Sequence, residues 1–99
     1  MNNIIEHVTF TAKTGSTDQE MRAAFDLSNE VAQTIPGFIQ RTLAKSADSN
    51  LWFDIVQWDS MEAAQNAMKA FESDPRTNAY VALIDFEHFE LKHLTIIAP

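Results

Sequence analysis

Few residues in this chain have side chains suited to catalysis. Histidines stand at positions 7, 88 and 93, and Asp54 interrupts a hydrophobic run. An imidazole titrates near neutral pH and can accept or donate a proton. A carboxylate among apolar neighbours is costly to bury unless it is paired, and burial raises its pKa toward that of a useful base. His7 and Asp54 are therefore the candidate catalytic residues.

Both residues also have an interpretation without chemistry. Arg41 lies on the strand predicted before that of Asp54, so the two side chains can form an ion pair across a hairpin. His7 can be an ordinary surface histidine, or one whose hydrogen bonds are satisfied within the fold. At sequence level these alternatives stay open.

Trp58 ends the run "FDIVQW" (53–58), directly before the signals of a helix. It can line a cleft, because aromatic walls suit flat apolar ligands, or it can pack against the helix that follows. Tyr80, in the ambiguous segment "TNAYVAL", can reach the same region. The predicted substrate-binding residues are Trp58, His7, Asp54 and Tyr80.

Several kinds of site have no support in the sequence. The histidines show no H-x-H or H-E-x-x-H spacing of a zinc site. Without cysteine there is no thiolate ligand, disulfide or cysteine nucleophile. Two glycines do not make a phosphate-binding loop, and the G-x-S-x-G motif is absent. We predict neither a metal nor a cofactor.

Four strands are predicted from β-branched and aromatic content, at 4–13, 38–46, 51–58 and 85–97. A first helix follows the T-x-x-E capping box formed by Thr17 and Glu20, and it ends at the Pro-Gly pair 36–37. A second helix is predicted from a cap at Asp59 to about residue 73. Its predicted apolar face consists of Met61, Ala64, Met68 and Phe71.

This order, β-α-β-β-α-β, is that of an α+β ferredoxin-like domain spanning residues 1–99. Its four-stranded antiparallel sheet carries both helices on one face. In strand 51–58, however, apolar residues occupy both alternating sets, where a one-sided sheet would alternate apolar and polar residues. The uncovered face therefore predicts a homodimer formed through the helix-free side of the sheet.

The charge narrows the class of partner. Seven basic and fourteen acidic residues give a net charge of −7. This argues against nucleic acid and anionic membranes, which need a basic surface. The sequence has no apolar run of about 18 residues and its start lacks the features of a signal peptide, so a cytoplasmic protein is expected.

The segments "IPGFIQRTLAKS" and "LWFDIVQWDSMEAAQNA" resemble the dimeric α/β-barrel superfamily, in its antibiotic-biosynthesis-monooxygenase-like branch. The shared features are the Pro-Gly-Phe helix end at 36–38, Arg41 in the hairpin, and the strand ending in Trp58. The resemblance implies two ferredoxin-like sheets paired into a barrel, with a small-molecule cleft between the sheet and the helices of each subunit. Activities in the superfamily include cofactor-free oxygenation of polyphenolic substrates, haem degradation, lactone isomerisation and dehydration.

One departure from the family pattern bears on function. The usual histidine nine residues past the tryptophan is replaced by Ala67, and the haem-degrading branch has a tryptophan there, so haem degradation is not indicated. Two hypotheses follow. One is a cofactor-free monooxygenase-like enzyme acting on a flat quinol-like or polyphenol-like substrate. The other is a non-catalytic ligand-binding or stress-associated dimer.

Overall fold

The computed structural model describes residues 3–99, and it confirms the predicted ferredoxin-like α+β fold. The sheet has the order β2-β3-β1-β4, with every neighbouring pair antiparallel. The strands are β1 (Ile4–Ala12), β2 (Phe38–Lys45), β3 (Leu51–Trp58) and β4 (Ile84–Thr95). The helices are α1 (Asp18–Ala32), α2 (Met61–Ser73) and a short α3 (Asn78–Leu83), which follows a 3-10 turn at Pro75–Thr77.

The start of the first helix is as predicted, and that of the second is shifted by one residue. The Thr17 side chain accepts the Glu20 N–H, and Glu20 accepts the Thr17 N–H, which completes the capping box. In α2 the predicted cap, Asp59, is wrong, because Ser60 accepts the N–H of Ala63. Asp59 still belongs to the turn, where its backbone N–H donates to the Gly37 carbonyl at 2.8 Å.

Gly37 allows this turn to pack closely against the start of α2. Its φ of +96° is a left-handed conformation that favours glycine. A Cβ at this position would lie 2.6 Å from the Ala63 Cβ and would collide with the Asp59 carboxylate. The predicted end of the first helix at the Pro-Gly pair is too late, because α1 ends at Ala32 with Gln33 as its C-cap. The pair instead lies in the turn before β2, where Gly37 permits a close contact between elements.

The buried face of α2 differs from the predicted one. Met61 and Met68 are 38% and 40% exposed, and the buried residues are Ala63, Ala64 and Ala67. These alanines let the helix approach the sheet closely, where Trp58 and Val56 fill the space beneath it. In α1, by contrast, larger side chains are buried together with small ones: Met21, Ala24, Phe25, Ser28, Val31 and Ala32.

An irregularity in β4 changes which side its residues face. Phe10 pairs with Phe89 and Thr11 with Asp85, so residues 86–88 bulge out of the ladder. Phe86 consequently comes to the same region as Phe89, with ring centroids 5.0 Å apart. In a regular strand two residues three positions apart would face opposite sides of the sheet, and the bulge brings Phe86 and Phe89 together instead.

The other face of the sheet carries no helix in the described chain. Its central residues are half-buried side chains of β1 and β3, among them Ile5, Phe53 and Ile55. Leu94 of β4, opposite Ile5, is 42% exposed. Among the described residues, no helix combines the length and apolar composition needed to cross a bilayer.

Candidate functional site

A buried ion pair lies beneath the helices. Arg41 Nη2 donates to Asp54 Oδ2 at 2.7 Å, and Arg41 Nε donates to Asp54 Oδ1 at 3.0 Å. The two side chains are 1% and 8% exposed. The paired geometry is the strong two-point form of an arginine–carboxylate contact. The cross-hairpin pair that the sequence allowed is therefore formed.

Two hydroxyl groups extend the pair into a network. The Tyr80 hydroxyl donates to Asp54 Oδ2 at 2.7 Å. Arg41 Nη1 donates to Ser28 Oγ at 3.0 Å, which explains the polar residue on the apolar stripe of α1. The guanidinium also lies over the Phe25 ring, 4.3 Å from its centroid, in a cation–π contact.

The electrostatics of this network hold its protons in place. Burial opposes the charge of Arg41, but the hydrogen bonds and charge of Asp54 outweigh it and raise the guanidinium pKa. Burial, followed by the negative charge of Asp54, raises the pKa of Tyr80 far above its usual value. The arginine therefore stays charged and the tyrosine protonated at neutral pH, and neither serves as a base.

A cavity of about 190 Å³ adjoins the network, between the sheet and helices α2 and α3. The sheet contributes Val8, Val56 and Leu91, and the helices contribute Ala67 and Phe71. A cavity of about 150 Å³ with such a lining is large enough for benzene. This one therefore has room for a single aromatic ring.

The mouth of the cavity is largely apolar and open to solvent. Five residues of its lining are exposed: the apolar Met68, Val81, Phe86 and Phe89, and the charged Glu72. The β4 bulge brings Phe86 and Phe89 together at this opening. A ligand larger than one ring could extend from the cavity across these residues.

Glu6 and Trp58 contribute further polar atoms to the lining of the cavity. Glu6 Oε1 lies 3.7 Å from Nε2 of His93, with the two side chains 16% and 21% exposed. Burial raises the pKa of the Glu6 carboxyl, against the opposing effect of His93. Trp58 Nε1 lies beside that carboxyl and also lowers its pKa, but it makes no hydrogen bond of full geometry within residues 3–99.

The structure brings three of the four predicted residues together. Asp54, Trp58 and Tyr80 line the cavity. His7 lies on the other side of the sheet from them. It pairs with Ile55, whose side chain is on the helix-free face, so the His7 side chain is on that face too. There it packs against Phe53 with ring centroids 5.9 Å apart. The combination of His7 and Asp54 in one cleft is thus not formed within the chain.

Sequence reasoning missed Glu6 and the position of His93. The signal for Glu6 was present, since it shares the alternating set of β1 with the buried Ile4, Val8 and Phe10. His93 required the register of β4, which places it opposite Glu6. The remaining histidine, His88, contacts Asp85 at 3.0 Å in the exposed bulge. In the described chain no three histidine or carboxylate side chains cluster as metal ligands.

Comparison with known proteins relates this chain to one family. A family model described as antibiotic biosynthesis monooxygenase matches residues 3–83, most of the chain. No curated protein sequence matches the chain significantly.

Solved structures share the fold over almost the whole length. The N63A mutant of SnoaB from Streptomyces nogalater, described as a cofactor-independent oxygenase, has a TM-score of 0.83 at 21% identity, covering 100% of this chain and 97% of that one. A putative antibiotic biosynthesis monooxygenase from Bordetella bronchiseptica has a TM-score of 0.83 at 11% identity, covering 99% and 100%. One from Nitrosomonas europaea has a TM-score of 0.77 at 14% identity, covering 98% and 92%.

Proposed function

The chain belongs to the antibiotic biosynthesis monooxygenase family, and from this we propose that its cavity binds a flat phenol or quinol and oxygenates it without a cofactor. The observation that carries the proposal is a ring-sized, largely apolar cavity whose lining includes two groups with unpartnered hydrogen-bonding atoms, Glu6 and Trp58. An apolar body with few polar anchors is the usual character of a small-molecule site.

A quinol can supply every electron that such a reaction needs. One oxygen atom of O₂ enters a ring C–H bond and the other leaves as water, while the quinol becomes a hydroxyquinone. The balance is quinol plus O₂ giving hydroxyquinone plus water, with no external reductant. The protein would hold the ring, exclude bulk water and stabilise charge on the phenolic oxygen. The description of SnoaB as a cofactor-independent oxygenase is consistent with this class of reaction.

The non-catalytic alternative is favoured by one feature of the cavity wall. Arg41, Asp54 and Tyr80 satisfy one another's hydrogen bonds, so this side of the cavity can serve as scaffold alone. A protein that only binds its ligand would share the cavity but would not consume oxygen with a quinol.

Blocking the mouth of the cavity should abolish ligand binding. Val81 is 43% exposed at the opening, so Val81→Trp can place an indole there without overpacking the core. Calorimetric titration with hydroquinone under anaerobic conditions should show binding to the wild type and at least a tenfold loss in the variant.

Ala82→Trp is the matched control, because Ala82 is the next residue of α3, is exposed, and does not line this cavity. It should bind hydroquinone like the wild type. Equal binding by Val81→Trp, or no binding by the wild type, would contradict the assignment of the site.

We also propose that two copies of the chain pair through the helix-free sheet face, burying Phe53 and Ile55 of each. Burial of a large apolar side chain stabilises by about 1.5–3 kcal/mol. A two-fold axis lets one such surface cover another. An interface of this kind is expected to bury about 2,000 Å² or more in total.

A charge on this face should dissociate the dimer. Phe53→Asp or Ile55→Asp would place a carboxylate in the apolar interface without a partner, so each variant should sediment as a monomer at low micromolar concentration. Met61→Asp is the control, since Met61 is an exposed apolar residue at the start of α2, away from this face. A wild type that sediments as a monomer would refute the pairing.

A further inference from the structure

The polar groups around the cavity fall into two sets. Arg41, Asp54 and Tyr80 are bonded to each other at 2.7–3.0 Å, which occupies both carboxylate oxygens and the tyrosine proton. Glu6 Oε1, Trp58 Nε1 and His93 Nε2 are buried and have no hydrogen-bond partner in the part of the chain described, with His93 Nε2 3.7 Å from Glu6 Oε1. Of these three residues, Glu6 and Trp58 line the cavity. Buried polar atoms are normally satisfied, by protein, water or ligand. The polar atom of a bound ligand is therefore expected at Glu6 and Trp58.

These two groups have complementary chemistry. The indole N–H of Trp58 can only donate, whereas an ionised carboxylate can only accept. A hydroxyl group satisfies both at once, because its oxygen accepts from the indole while its hydrogen is donated to the carboxylate. An ether would leave the carboxylate unsatisfied, and a primary ammonium would leave the indole unsatisfied. The pair thus selects a hydroxyl on an otherwise apolar ring.

We propose that Glu6 is the proton acceptor of this cavity and takes the hydroxyl proton of a bound phenol or quinol while Trp58 holds the same oxygen. The inference rests on the proposed ligand site and adds to it the residue that acts as the base. The ligand O–H bond breaks, its electron pair stays on the phenolate oxygen, and a new O–H bond forms on the Glu6 carboxylate. The Trp58 N–H then stabilises the phenolate, which is more electron-rich than the phenol.

The charged groups around Glu6 are compatible with this role. Strand β4 presents His93, β3 presents Asp54 and β2 presents Arg41, while Glu72 of α2 and Tyr80 of α3 line the same cavity. Burial has the largest effect on Glu6 and raises its pKa, so its carboxylate holds a proton more strongly than an exposed one. A base matched more closely to a phenol transfers the proton at lower cost.

The proton transfer can be observed with 4-nitrophenol, whose phenolate is yellow. About one pH unit below the pKa of the free probe, only about a tenth of it is ionised, and Glu6, whose pKa is raised, keeps more of its accepting carboxylate form than at lower pH. Wild-type protein is expected to raise the phenolate fraction of bound probe several-fold, whereas Glu6→Gln should bind the probe without this colour. Glu87→Gln, a change of an exposed glutamate on β4, should behave like the wild type.

Each outcome decides a separate claim. Probe bound to the wild type without phenolate colour would overturn the role of Glu6 and leave the ligand site intact. Colour retained in Glu6→Gln would assign the proton to another group, with His93 nearest. Failure of the wild type to bind either 4-nitrophenol or hydroquinone would refute the ligand site itself, which calorimetry detects independently of colour.

Thermal melting verifies that Glu6→Gln folds. Because folding raises the Glu6 pKa, the unfolded state releases this proton at lower pH than the native state does. The contribution of Glu6 to the free energy of unfolding is therefore present below its usual pKa. It is lost as the pH rises through the pKa that Glu6 has in the folded state. The glutamine variant should melt at or above the wild-type temperature at neutral pH, and this advantage should disappear at acid pH.

Discussion

Replacing Asp54 by alanine is expected to lower the free energy of unfolding by about 3–5 kcal/mol, the range for breaking a buried ion pair. The change leaves the guanidinium of Arg41, which is 1% exposed, without its counter-charge. It also removes the acceptor of the Tyr80 hydroxyl. Chemical denaturation of the two proteins measures the difference.

Two further variants separate the buried charge from other effects. Lys45→Met breaks the exposed bridge between Lys45 and Asp18, which should cost less than about 1 kcal/mol. The double replacement Arg41→Met with Asp54→Leu removes both charges and should recover much of the stability lost in Asp54→Ala. A loss below about 1 kcal/mol in Asp54→Ala would mean that the pair is not buried as described.

Trp58→Ala is expected to lower the free energy of unfolding by a similar amount, about 3–5 kcal/mol, because it leaves a cavity in a packed part of the core. Trp58 is 1% exposed and packs edge-to-face against Phe38, with ring centroids 5.7 Å apart. Its other neighbours include the small residues Ala63 and Ala64, which cannot refill the space. Thermal and denaturant melts quantify the loss.

Trp58→Phe distinguishes the packing role from the ligand role. Phenylalanine keeps much of the ring volume but has no N–H, so the stability loss should be clearly smaller than that of alanine. Affinity for hydroquinone should nevertheless fall by about three- to tenfold, which is the contribution expected from one neutral hydrogen bond. Unchanged affinity in this variant would make Trp58 a core residue without a part in binding.

The pattern of β3 was predictable because every residue in it obeys a simple alternation. Its bounds, 51–58, are those of the structure, and Trp52, Asp54, Val56 and Trp58 all face the helices. The hairpin alone allowed the ion pair of Asp54 with Arg41, as one of the two alternatives for this carboxylate. Local sequence determines these features, since the strand is regular and its partner is the next element along the chain.

The features that were not predictable depend on distant elements. Glu6 contacts His93, which lies 87 positions further along the chain, and only the register of β1 with β4 brings the two side chains together. The bulge at 86–88 reverses the facing of Phe86, and no local pattern indicates it. Met61 and Met68 satisfy a helical period, but α2 presents its alanines to the sheet because small side chains allow closer packing.

Oxygen consumption tests the proposed oxygenation most directly. With purified protein and hydroquinone in air, uptake should exceed that in buffer, and Val81→Trp should abolish the excess. Adding catalase afterwards should return no oxygen, because monooxygenation releases the second oxygen atom as water rather than as hydrogen peroxide. Uptake no faster than in buffer, or catalase returning half of the oxygen consumed, would contradict cofactor-free monooxygenation at this cavity.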